Sequence, residues 1–451
     1  MLCSKGYRVQ KTDAVADARL VQELTVEPRD DYGGGAASGE DTRFVVCMET
    51  ERYLYVPRCF GLTRFGPPKR SLVNSYEEVD LRFSGSLLDN QVAPVEAYLR
   101  AAEDPVRMGG ILQLPPGYGK TVIALYLASR LKAKTLILVH KEFLMNQWIE
   151  RVRAYLPGCR VGIIKQKQAD VENKDVVIGL VQSVSMRAYD PSVFAGFGMV
   201  VVDECHHVGA NVFSRALPKV TFRYALGLSA TVVRKDGLTK VFKWFLGDVV
   251  FKVARKTSLA CEVRVAKFVP EGALSQEGPY GRELMMRNGK VNMARMVNVV
   301  AECDERSTFV VKSIVGVLEE SPTRNVIVLS DRRMHLERLR DGLREAGVLC
   351  GLYVGGMSNA ALEESKACKV ILGTYSMVSE GFDLARLDTL ILATSKSDVE
   401  QSVGRIQRKH SLGEEDNVPM VIDVMDDYSV FANQFARRLR FYKKNAYTIS
   451  F

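Results

Sequence analysis

The stretch Ile111-Leu-Gln-Leu-Pro-Pro-Gly-Tyr-Gly-Lys-Thr121, running on into the apolar segment Val122 to Leu131, decides how this chain is read. A short apolar strand, a turn with two glycines, and a Lys-Thr pair opening a helix make the context of a phosphate-binding loop. The N–H groups of Gly117 to Lys120, with a helix N-terminus behind them, would surround phosphate oxygens, and Gly117 and Gly119 would admit the close approach. Lys120 would neutralise the outer phosphates of a nucleotide and Thr121 would ligate Mg²⁺. Leu114 stands where the general pattern has its first glycine. The competing reading is a chance turn ahead of a core helix.

Around this loop lie further short apolar runs: Thr135 to Val139, Val176 to Val181, Met199 to Val202 and Tyr224 to Leu228. A second series follows, Val326 to Leu329, Val370 to Leu372, Leu390 to Ala393 and Met420 to Ile422, with an amphipathic helix near Met334 to Ala346. Such runs mark strands buried on both faces of a parallel sheet. The fold expected is therefore α/β, two doubly wound parallel-sheet domains with a small N-terminal β-containing accessory domain. Boundaries are expected at 1–80 for the accessory domain, 81–258 for the first large domain, and 259–451 for a linker and the second. Within the first 80 residues no helix is read, but Phe44 to Glu49 and Arg52 to Pro57 read as two strands around a polar turn. Gly33 to Gly39 lacks a Lys-Thr ending and reads as a loop.

The chain has 451 residues, 47% of them hydrophobic, which suits more than one core. No apolar run reaches the roughly 20 residues of a membrane helix, and Met1 to Gln10 lacks the apolar core of a secretion signal. A soluble intracellular protein without a membrane partner, and a monomer, is the expectation. Nine scattered cysteines with no C-x-x-C pair read as reduced thiols. A net charge of +9 suits a polyanionic partner, although it also fits a plain solvated surface.

Asp203-Glu-Cys-His206 follows the run Met199 to Val202, so two carboxylates emerge at the C-terminal end of a strand, where α/β sheets bind ligands. Asp203 would hold Mg²⁺ through its water shell and Glu204 could polarise an attacking water as general base. Two solvated acids on a loop are the plain alternative, and a zinc site at Cys205, His206 and His207 fails because adjacent residues do not converge on one tetrahedral ion. Ser229-Ala-Thr231 ends another strand. Gln401, Arg405 and Arg408 are spaced to share a helical face that could point at phosphates or at solvent. Tyr280 to Arg287 and the terminal helix with Arg437, Arg438, Arg440, Lys443 and Lys444 could touch nucleic acid or be ordinary amphipathic helices, the latter with Phe435, Leu439 and Tyr442 turned inward.

In order and spacing these residues resemble the superfamily 2 helicases, with Gly117 to Thr121 as motif I, Asp203 to His206 as motif II, Ser229 to Thr231 as motif III and Gln401 to Arg408 as motif VI. The resemblance implies RecA-like domains that use ATP and Mg²⁺. It implies an adenine-reading role for Gln91, and a motif V at Gly373 to Asp383, in which Thr374 would touch a nucleic-acid backbone while Gly381 and Asp383 serve the nucleotide. His206 would link the γ-phosphate to Ser229 and Thr231, and Gln401 would share that task. Gln182, Ser183 and Thr374 would make backbone contacts largely independent of base sequence, and Arg405 and Arg408 would complete the ATP site. Gly227 to Leu238 is similar to the XPB and UvsW branch, with Val232 where many relatives have proline and with Lys235 reversing the central charge of an Arg-Glu-Asp element at 234–236. Tyr53 to Arg58, Val328 to Leu336 and Ser397 to Arg405 resemble helicases of large cytoplasmic DNA viruses, relatives of the poxvirus transcript-release helicase; a viral protein would act in host cytoplasm or nucleus and could enter the virion.

The activity this implies is an ATP-dependent helicase or translocase on DNA. An enzyme acting on RNA or on a transcription complex is the alternative, a catalytically inactive binding module is a rival of another class, and a restriction-type nuclease is a third.

Overall fold

The structure, a computed structural model, describes residues 1–28, 43–115, 117–231, 237–253, 260–270, 280–286, 289, 291–379, 382, 384–407 and 417–451. The loop reading of 33–39, Val232 and the element at 234–236 lie outside the described residues, as does Arg287. The chain forms two compact units, Met1–Ala254 and Arg255–Phe451.

The first unit is built on an eight-stranded sheet. Its order is Gln168–Ala169, Val161–Lys165, Val176–Leu180, Thr135–Val139, Met199–Val202, Tyr224–Ser229, Gly109–Gln113 and Val249–Lys252. Only the edge pair Gln168–Ala169 with Val161–Lys165 is antiparallel. Successive residues feed opposite cores. Leu136, Leu138, Val177, Val200 and Val202 join one apolar cluster, and Ile137, Val139, Val176, Ile178, Met199 and Val201 join the other. This is why the runs carry no polar alternation: with helices on both faces, successive positions on either side call for apolar residues. Gly109 is required where its strand meets Tyr224–Ser229, since at φ +124° a Cβ would lie 2.1 Å from the Ala225 carbonyl oxygen.

The second unit repeats the plan with seven strands, all paired in parallel, in the order Cys350–Tyr353, Val370–Thr374, Val326–Ser330, Thr389–Leu392, Met420–Asp426, Glu262–Phe268 and Thr448–Ser450. Both units are RecA-like parallel-sheet domains. The strand Glu262–Phe268 falls in the stretch expected to be linker. Its burial alternates, so in sequence it lacks the continuous apolar signature of its neighbours.

The accessory region carries a four-stranded antiparallel sheet, Leu2–Cys3, Gly6–Gln10, Tyr53–Val56 and Met48–Glu49. It also holds a helix the sequence did not announce, Ala14–Glu23, started by the Asp13 side chain accepting the Val15 N–H at 3.1 Å. Arg58 ties this region to the large sheet. Its buried guanidinium donates to the carbonyls of Phe222 (2.9 Å) and Arg223 (2.8 Å) and lies over the Phe222 ring.

In the second unit, the strand Met420–Asp426 sends one carboxylate to each layer of helices. Asp426 takes two bonds from fully buried Arg306, at 2.6 and 2.8 Å, and one from the Tyr280 hydroxyl. Asp423 takes two from Arg438, both 2.8 Å, and one from the Tyr442 hydroxyl. Of the five terminal-helix cations expected at a surface, Arg438 is thus fully buried, because Asp423 offers a paired site that solvent would not improve. Phe435 and Tyr442 turn inward as the helical spacing requires.

Removing one partner of such a pair strands a buried charge. Asp426→Asn should cost on the order of 3–5 kcal/mol, read as a lower thermal midpoint; an unchanged midpoint would mean that Arg306 finds another acceptor. His335 is fully buried with Nδ1 3.0 Å from the Ser330 hydroxyl, and burial pushes its imidazole down to about 3. The unfolded chain takes up this proton near pH 6.5 and the folded one does not. Stability is therefore full above that pH and falls as pH drops toward 3, by up to roughly 1.4 kcal/mol per unit. Urea unfolding followed by circular dichroism at pH 7 and 5 should show a smaller loss in His335→Gln than in the unsubstituted chain; equal losses would place the acid sensitivity elsewhere.

Candidate nucleotide-binding site

The strand Gly109–Gln113 leads directly into the loop, and the Leu114 N–H is still held by the Ser229 carbonyl at 2.9 Å. Gly117 and Gly119 have φ of +79° and +83°, and Gly119 caps the helix Lys120–Leu131 without any side chain bonding at the cap. A twelve-residue helix therefore starts with its N-terminal dipole facing an open glycine turn, which favours an anion. Gln91 sits on the helix Asp89–Glu103, buried against this loop. Its Oε1 accepts the Leu88 N–H (3.0 Å) and its Nε2 donates to the Tyr118 carbonyl (3.1 Å). The Tyr118 hydroxyl returns a bond to the Asn90 carbonyl at 2.6 Å. A Cβ at position 119 would meet Gln91 Nε2 at 2.1 Å, so glycine there serves packing as well as turn geometry.

Asp203 and Glu204 leave the end of Met199–Val202. Asp203 is buried; its Oδ2 accepts the indole N–H of Trp148 at 2.8 Å and its Oδ1 accepts the Glu204 N–H at 3.0 Å. Burial pushes the Asp203 carboxyl up, Glu204 beside it adds to the rise, and Lys120 opposes it. Glu204 takes a left-handed backbone, φ +44° and ψ +50°, which costs an L residue about 1–2 kcal/mol. The bend brings its Oε1 to 2.5 Å from Lys120 Nζ and its Oε2 to 3.4 Å from His206 Nδ1. Next along, His206 Nδ1 lies 2.7 Å from the Ser229 hydroxyl, which also meets the Thr231 carbonyl and N–H. Three segments distant in sequence are thereby joined as Lys120, Glu204, His206 and Ser229. Burial pushes the Cys205 thiol up to about 12, leaving it a protonated core side chain.

Thr121 follows Lys120 in the first turn, half-buried. Gln182 and Ser183 lie on the helix Val181–Met186; Gln182 Nε2 donates to the His140 carbonyl at 3.0 Å, while the Ser183 hydroxyl is turned inward to accept the Gln166 N–H at 2.9 Å. In the second unit, Thr374 ends the strand Val370–Thr374 with its hydroxyl 3.4 Å from that of Ser376. Gln401 and Arg405 share the helix Glu400–Ile406, and Arg405 is buried. Gly381, Asp383 and Arg408 lie outside the described residues. Trp148 escaped the sequence reading because an isolated tryptophan has no motif; its helix follows the strand Thr135–Val139, and only the fold carries it to Asp203.

Residues 84–234 match the family described as "Type III restriction enzyme, res subunit". The chain is 28% identical over 90% of its length to "Putative helicase 161L" of invertebrate iridescent virus 6, covering 92% of that protein. It is 28% identical over 75% of its length to "Putative ATP-dependent RNA helicase QP509L" of African swine fever virus, covering 69%. With "Putative ATP-dependent RNA helicase L396" of Acanthamoeba polyphaga mimivirus it shares 30% identity over 98% of its own length and 85% of the relative's. That likeness, spanning both units, makes the chain a member of the superfamily 2 helicases, in the group found in large DNA viruses, and an ATP-hydrolysing enzyme.

Proposed function

We propose that this helicase is an ATP-driven translocase acting on DNA, and that hydrolysis is carried out by the residues gathered around Lys120 and Glu204. The observation that carries the hydrolytic assignment is the linked set Lys120, Glu204, His206 and Ser229 beside a helix N-terminus whose Gly119 cap brings no side-chain bond. ATP would enter with its phosphates against the N–H groups of 117–120, and Lys120 would exchange Glu204 for phosphate oxygen. Glu204, released from its lysine, would accept a proton from the attacking water. His206 would report the change to Ser229 through the 2.7 Å contact.

The acid pair suits a divalent cation. Asp203 is a buried carboxylate raised by desolvation beside a second acid, which a cation would relieve. Among the described residues no group of three or more His, Cys, Asp or Glu could form a protein cage, and Mg²⁺ characteristically binds through one or two carboxylates plus substrate phosphates. Thr121 and Asp203 would hold it. Bound there, it would neutralise phosphate charge and orient the terminal group. Gln91 is assigned to the nucleotide side of the loop, Gly381 and Asp383 to the nucleotide, and Gln401, Arg405 and Arg408 to offsetting charge on the transferred group. Gln182, Ser183 and Thr374 are assigned to the nucleic-acid backbone; Gln182 is the better supported of the first two, since the Ser183 hydroxyl faces inward.

DNA is favoured by the match to a restriction-enzyme subunit and by the likeness of 227–238 to the XPB and UvsW branch. The names of the mimivirus and swine fever virus relatives favour a second reading, RNA as the track. ATP hydrolysis measured in parallel with single-stranded, duplex and forked DNA and with RNA separates the two. DNA should stimulate most, with a half-maximal concentration that climbs steeply with salt, because phosphate contacts release counterions. Stimulation by RNA alone would reverse the assignment. Thr374→Ala should lower that stimulation while nucleotide binding holds; an unchanged activation curve would remove Thr374 from the interface.

Lys120 and Glu204 should fail at different steps. Lys120→Ala should weaken ATP binding and abolish turnover, whereas Glu204→Gln should bind ATP yet turn it over at least about 10²-fold more slowly, the scale of a lost general base. Wild-type turnover in Glu204→Gln would show that another group activates water.

A further inference from the structure

Trp148 stands apart from every motif, yet it touches the carboxylate on which the cation assignment rests. It lies in the helix Glu142–Tyr155, is 3% exposed, and packs in the apolar layer that also holds Val139, Ile178 and Val201. An indole has one hydrogen-bond donor and no acceptor, and a buried one needs a partner. Here the partner is Asp203 Oδ2 at 2.8 Å. The other carboxylate oxygen accepts the Glu204 N–H at 3.0 Å, and the Asp203 N–H is held by the Leu138 carbonyl, also at 3.0 Å. Backbone and side chain of Asp203 are thus fixed from three directions, and only Trp148 does so from a different element's side chain. The donor is neutral. It orients the carboxylate without cancelling its charge, as a lysine in the same place would.

We propose that Trp148 is a positioning residue for hydrolysis: its indole N–H holds the Asp203 carboxylate in the orientation that receives the divalent cation of the bound nucleotide. The inference rests on the reading of Asp203 as a cation holder. Groups around a metal ligand that fix its orientation commonly change metal affinity by 10- to 100-fold, and a hydrogen bond to a charged acceptor is of matching size. Losing the N–H while keeping the ring should therefore act on the cation and spare the nucleotide. A purely structural role would disturb both.

The test compares Trp148→Phe, Trp148→His and Asp203→Asn in the full chain. Manganese binding to the protein–ADP complex is followed by electron paramagnetic resonance, and ADP binding is measured separately in chelator. In Trp148→Phe, manganese affinity should fall about tenfold, the lower end of that range, with ADP affinity in chelator unchanged. The Mg²⁺ concentration for half-maximal ATPase activity should rise by a like factor, more than turnover at saturating Mg²⁺ declines. Trp148→His, which keeps a ring N–H, should lie nearer the unsubstituted protein. Should Trp148→Phe fail to fold, Trp244→Phe leaves Trp148 as the single tryptophan, and its emission should shift when Mg²⁺ joins bound ADP; a flat emission overturns the proposal. Equal loss of ADP affinity in chelator, or unchanged manganese affinity in Trp148→Phe while Asp203→Asn loses it, also overturns it. If Asp203→Asn itself leaves manganese affinity intact, the assignment of Asp203 fails first.

Discussion

Burial of both faces of the two large sheets is the constraint on which the rest of this structure depends. A strand such as Met199–Val202, or the stretch Leu136 to Val139 of Thr135–Val139, apolar at every position, has no face on which to carry a working polar group. Chemistry is pushed to the strand ends, where the chain leaves the sheet. Because neighbours run parallel, those ends fall together: Ser229 pairs in register with Gln113 on one side and Gly227 with Val202 on the other. The glycine turn with Lys120, the acid pair and Ser229 therefore emerge at the same end of the sheet, although more than 80 residues separate the first two in sequence.

The two units place charge inside the protein in opposite ways. Arg306–Asp426 and Arg438–Asp423 are fully enclosed, each carboxylate saturated by a bidentate guanidinium and a tyrosine hydroxyl. Such a pair has no better partner to exchange for, and it fastens helices to a strand. Lys120–Glu204 is partly open and formed between a glycine turn and a residue in a left-handed bend. Its members can change partners, which suits a site where a phosphate comes and goes, and the strained backbone at Glu204 is of the kind that accompanies such sites.

Much of this was legible in the sequence. Apolar runs of three to six residues announced both parallel sheets, because strands covered on both faces leave that signature whatever surrounds them. The glycine turn with Lys120 and Thr121 and the pair Asp203-Glu204 were legible because their neighbours in sequence are also their neighbours in space. Glu262–Phe268 was not, since its alternating burial resembles a charged linker, and the helix Ala14–Glu23 lacks a strong apolar stripe.

The sequence by itself determined the fold class, the glycine turn ahead of Lys120 and Thr121, the acid pair Asp203-Glu204 and the likeness to helicases, all of them properties of contiguous residues. Tertiary structure alone decided that Gln91 clips the loop through Tyr118, that Arg438 turns inward to Asp423, that Ser183 turns inward to Gln166, and that Trp148 meets Asp203. The reason is physical. A buried polar group takes whichever partner the packed chain brings within about 3 Å, and that choice depends on elements tens of residues away.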